Sequence, residues 1–83
     1  MSTIAADSGW FLRVYPNDHP PPHAHAHRQG KVGDVRIVID GASPALMNSH
    51  DSYSTADVRF ALALAAQHHV ACLEKWRSYH AQA

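Results

Sequence analysis

Asn17-Asp18-His19-Pro20-Pro21-Pro22-His23-Ala24-His25-Ala26-His27 is the stretch that decides how the rest of the chain is read. It carries four of the eight histidines, three of the five prolines and one carboxylate. Its second half alternates with period two, the repeat of a β-strand, with alanines on one face and imidazoles on the other. Its first half cannot continue that strand. Asn and Asp favour turns, and three consecutive prolines favour an extended, polyproline-like link without ladder donors. Such a run is poor core material, because imidazole is an inferior core filler and proline interrupts pairing. Four imidazoles and a carboxylate this close together point to a site for a metal ion or an anion.

Working outward, Trp10-Phe11-Leu12-Arg13-Val14-Tyr15 reads as a strand rich in aromatic and branched residues, with Trp10, Leu12 and Val14 on one side. Pro16-Asn17-Asp18 ends it. Beyond the histidine strand, Gln29-Gly30 and Gly33-Asp34 bracket a reversal, and Val35-Arg36-Ile37-Val38-Ile39 is the clearest strand of all. Short connections make these three strands antiparallel neighbours, and Ala45-Leu46-Met47 is a candidate fourth, at an edge. Ser54-Thr55-Ala56-Asp57 has the form of a capping box and opens a helix expected to run unbroken from about Thr55 to Tyr79. Its main face is Val58, Leu62, Ala65, His69, Cys72, Leu73 and Trp76, with Phe60 and Leu64 on another side. The expectation is one small α+β domain over residues 1–83. Its antiparallel sheet has three strands, or four with the edge strand, and is packed by one long C-terminal helix. Residues 1–8 form a loose lead-in.

Composition narrows the function classes. The formal net charge is zero, with seven basic and seven acidic side chains, so charge does not indicate a strong nucleic-acid binder. Cys72 is alone, which rules out an internal disulfide and a Cys-rich zinc site. The chain start lacks a basic head and an apolar run, and the apolar run Phe60 to Ala66 is far too short to span a bilayer. These features imply a cytoplasmic protein without membrane attachment. Fourteen alanines dilute the 46% hydrophobic fraction, and a thin core in so short a chain suits a homodimer, with the first half of the helix as docking side.

The site residues follow from the strand alternation. Alternate strand residues lie roughly 6.6 Å apart, close enough for His23 and His25 to converge on one ion. His19 would add a third nitrogen across the proline link, and Asp18 a carboxylate, either as ligand or as acceptor behind a ring. His27 is a further candidate on the same face. Imidazole ligands with an open position suit a divalent metal, zinc first, with nickel, copper or iron also compatible. Two other readings use the same residues. In one, His23, His25, Arg13 and Tyr15, joined by Arg36, act on a phosphodiester or RNA without metal. In the other, the histidines are incidental solvated residues of a protein-interaction domain. His69 is expected as a hydrogen-bonded semi-core residue, Trp76 as a core anchor and Cys72 as a small buried hydrophobe. His50, His80, Arg28 and Lys31 are expected to be solvated.

Asn17 to His25 resembles the N-D-H-x-P-P-H-x-H signature of DUF4160, a widespread bacterial family of small domains of unknown function. Ile4, Gly9, Val35 to Asp40, His68 and Leu73 to Trp76 extend the similarity over most of the chain. The resemblance supports the fold and the cluster of His19, His23 and His25. It also implies a toxin–antitoxin-like setting with a small protein partner encoded nearby. Ala24 stands where the family usually has an aromatic, Ala71 where it often has glutamate and Lys75 where it often has asparagine. The family has no settled activity to lend.

Overall fold

A computed structural model describes residues 2–80. Five strands form one antiparallel sheet in chain order: β1 (Ser2–Asp7), β2 (Trp10–Val14), β3 (His23–Arg28), β4 (Val35–Val38) and β5 (Ala45–Ser49). Two helices follow, α1 (Thr55–Gln67) and α2 (His69–His80). The α+β class is as expected, but strand number and helix continuity are not.

The loose lead-in is corrected over Ser2–Asp7, which pairs with β2 from Thr3↔Arg13 to Asp7↔Trp10; Met1 lies outside the described residues. The two-residue connection Ser8-Gly9 has positive φ at both positions, 52° and 82°, as a type I′ hairpin turn requires. Apart from Thr3 and Ile4, β1 is made of poor strand formers. Its pairing partner supplies what local propensity lacks. The edge strand β5 forms as anticipated and runs two residues further than Met47.

Trp10, Leu12 and Val14 on β2, Ala24 and Ala26 on β3, and Val35 and Ile37 on β4 are buried on the helix side of the sheet. The cross-strand pairs Leu12↔Ala26 and Ala24↔Ile37 alternate large with small. Alanines on the central strand leave room for Ala61, Leu64 and Ala65 of α1, so the backbones approach closely and the small residues still make a dry core. Leu64 is therefore core rather than docking surface. Phe60, 39% exposed, stacks on Trp10 with centroids 5.4 Å apart.

The capping box is present: Ser54 Oγ accepts from Asp57 N–H at 3.1 Å, and Asp57 Oδ2 accepts from Ser54 N–H at 3.0 Å. Arg28 and Lys31 are not solvated turn charges. Arg28 Nη1 and Lys31 Nζ each donate to Asp57 at 2.7 Å, which ties the β3–β4 hairpin to the start of α1. Lys31 and the Ser54 amide hold the Asp57 carboxyl well below the usual carboxylate range. Tyr53 closes the same corner, donating to Gly33 O at 2.8 Å and accepting from Arg28 N–H at 3.0 Å.

The single long helix is corrected to two, broken at His68 (φ −114°, ψ 24°). Neither Gly nor Pro marks the break. His69 Nε2–H donates to Ile39 O at 2.7 Å, anchoring α2 to the residue that follows β4, and α2 packs against β2. His69 is half-buried, and Cys72 and Trp76 are buried, as expected. Burial pushes the Cys72 thiol up to about 11, so it behaves as an inert apolar group.

Candidate metal centre

Because Ala24 and Ala26 face the helices, His23 and His25 project from the other side of β3. They are nevertheless only 8% and 7% exposed. The β2–β3 connection, which includes a cis Pro20–Pro21 bond, brings Asp18 against both rings. Asp18 Oδ2 lies 2.7 Å from His25 Nε2 and 3.2 Å from His23 Nε2. One ligand atom from each of the three residues falls within 4.8 Å of the others.

The far nitrogens decide what these near ones are. His23 Nδ1 is 2.9 Å from Pro21 O, and His25 Nδ1 is 3.2 Å from Asp34 Oδ2. Both partners accept, so each Nδ1 is placed to donate and each Nε2 is turned toward Asp18, where it can donate a proton or offer a lone pair to a metal ion. Two Nε2 atoms and a carboxylate oxygen thus converge. A ring proton or a metal ion among them would offset the Asp18 charge. Ligands at about 2.1 Å from a common ion lie roughly 3.0–3.4 Å apart. The two contacts from Asp18 Oδ2, 2.7 and 3.2 Å, are close to that spacing, and all three atoms lie within 4.8 Å of one another.

Asp34, which sequence reasoning missed, stands behind His25, where a carboxylate would orient the ring if its Nε2 held a metal ion. Its Oδ1 is also 3.3 Å from His27 Nδ1. A signal for it existed. The pairing His25↔Arg36 and Ala26↔Val35, continued by one position, puts Asp34 beside His27 and on the same face as His25. Tyr15 buttresses the site too, with its ring edge-on to His25 at 4.7 Å between centroids.

The expected set is otherwise divided. His19 is exposed and outside the converging group, though it lines the same cavity of about 290 Å³ as Asp18, His23, His25, Arg36 and Met47. His27 turns its Nδ1 to Gly33 O at 2.9 Å and stays apart. Arg13 donates from Nε to Thr3 Oγ1 at 3.3 Å and lies over the Phe11 ring, so it does not line the cavity. His80, expected to be solvated, is half-buried and braces the ligand loop. Its Nε2 is 2.9 Å from Asp18 O, 62 positions away, and its ring stacks on Trp76 at 4.0 Å. Trp76 in turn lies 5.5 Å from the His23 ring. The last turn of α2 thus supports the loop that carries Asp18.

No described helix is long and apolar enough to cross a membrane. Comparison with known proteins found no match among curated proteins and none among solved structures. A family model does match, over residues 9–77, which include the Asp18/His23/His25 cluster, Asp34 and most of α2. The chain belongs to the domain of unknown function family DUF4160.

Proposed function

We propose that Asp18, His23 and His25 bind one divalent transition-metal ion, zinc foremost, through Oδ2 and the two Nε2 atoms. The observation that carries this reading is the tethering of both Nδ1 atoms to acceptors, which turns both Nε2 atoms toward the same carboxylate oxygen. Two imidazoles and one carboxylate would leave further coordination positions for a bound ion, beside the cavity that His19 also lines. A metal held there would supply Lewis-acid polarisation of a bound oxygen and a water of lowered pKa. The residues then divide the work. Asp34 and Pro21 O fix the ring orientations, Tyr15 and Trp76 limit solvent, and His80 holds the Asp18 backbone.

Cobalt(II) titration tests the proposal, because cobalt entering a low-symmetry nitrogen and oxygen site gains strong visible absorption. One cobalt per chain, displaced by zinc and lost in Asp18→Ala and in His25→Ala, is the expected result. Equal spectra for wild type and both variants would sink it.

A further inference from the structure

Arg36 stands beside His25 in the β3–β4 pairing and lines the same cavity as the three converging ligands. Its side chain is exposed, and among the described residues it makes no hydrogen bond or ion pair. The other cations near the sheet are engaged: Arg13 with Thr3 and Phe11, Arg28 and Lys31 with Asp57. Asp34, the acid nearest to Arg36 in sequence, already serves His25 and His27. A divalent ion with the Asp18 carboxylate and two neutral rings leaves one net positive charge, and Arg36 adds a second at the rim. Among the described residues Asp18 is the one carboxylate lining that cavity, while Asp34 stands behind His25 and lines a neighbouring cavity with Arg36.

Resting on the metal reading above, we propose that this cavity binds a small phosphoryl compound, with one oxygen on the metal ion and others on the Arg36 guanidinium. A tetrahedral dianion matches two positive charges and offers acceptors in more than one direction, as a guanidinium fork beside a metal ion demands. A volume of about 290 Å³ is at the small end for ligand pockets, and the chain's zero formal charge does not favour a long polyanion. The ligand is therefore inorganic phosphate or the terminal phosphate of a small monoester, rather than a nucleic-acid strand.

Calorimetric titration of inorganic phosphate into zinc-loaded protein tests this. Wild type is expected to bind, zinc-free protein not to bind, and Arg36→Gln to bind at least about tenfold more weakly, the loss expected for a hydrogen bond to a charged group. Arg36→Lys should fall between them, Arg13→Gln should match wild type, and zinc affinity should be the same in all. Because Arg36 is an exposed strand residue, these variants keep the fold. Phosphate binding unchanged in Arg36→Gln, or no phosphate bound by zinc-loaded wild type at millimolar concentration, overturns the inference while leaving the metal site standing. Failure of zinc itself to bind overturns both. A phenyl phosphate titration separates the two sources: binding equal to that of phosphate indicates a monoester, and exclusion indicates the free ion.

Discussion

Replacing Asp34 removes a group that touches no proposed open position yet sets the direction of one ligand. Its Oδ2 accepts the Nδ1 proton of His25 at 3.2 Å, and its backbone carbonyl separately accepts from His50 N–H at 3.1 Å. A side-chain substitution therefore leaves the chain tether in place. Loss of an acceptor behind a ligating histidine typically costs tenfold to a hundredfold in metal affinity. A contact of 3.2 Å is longer than the roughly 2.7–2.9 Å of strong charge-assisted hydrogen bonds, so the effect belongs at the lower end. Asp34→Ala should weaken zinc binding about tenfold, which is ~1.4 kcal/mol. Asp34→Asn should weaken it less, because an amide oxygen still accepts. His27→Ala removes the other ring held by Asp34 and should leave zinc affinity unchanged. The assay is zinc competition against a chromophoric chelator at neutral pH, with circular dichroism to verify the fold. Wild-type affinity in a folded Asp34→Ala protein would refute the assignment of His25 as an Nδ1–H tautomer facing a metal ion.

Two further outcomes concern the scaffold. Asp57 has its folded-state pKa depressed by Lys31 and Ser54, so its stabilising effect is complete above its unfolded value and disappears as pH falls through the folded one. Denaturation of Asp57→Asn should show lower stability than wild type at neutral pH, with the gap closing below about pH 4; a gap that stays constant into acid would contradict the ion-pair assignment. Gly33 sits at φ +74°, and an added Cβ would lie 2.7 Å from His50 Cβ. Gly33→Ala should therefore cost at least about 1–2 kcal/mol from backbone strain alone, measured as a lower urea midpoint, and an unchanged midpoint would show that the turn relaxes freely.

Much of this was legible because strand alternation is local. His23-Ala24-His25-Ala26-His27 announces both its secondary structure and its two faces, and the buried alanines and converging histidines follow. Asp18 is readable as a neighbour, but that the proline link sets it against both rings while His19 stays exposed outside the converging group is a consequence of the fold. β1 escaped notice because Ala5, Ala6 and Asp7 carry little strand preference, and pairing with β2 is a tertiary contribution. The helix break at His68 has no Gly or Pro to announce it and depends on His69 reaching Ile39 O. Asp34 and His80 act across distances of nine and 62 positions, which only the assembled sheet and helix create.

The most direct measurement is elemental analysis of untagged protein purified without a metal column, beside the double variant His23→Ala/His25→Ala. Near-stoichiometric metal in wild type and none in the variant is the expected result. Metal-free wild type that also fails to take up zinc, or equal metal in both proteins, would contradict a centre built from Asp18, His23 and His25.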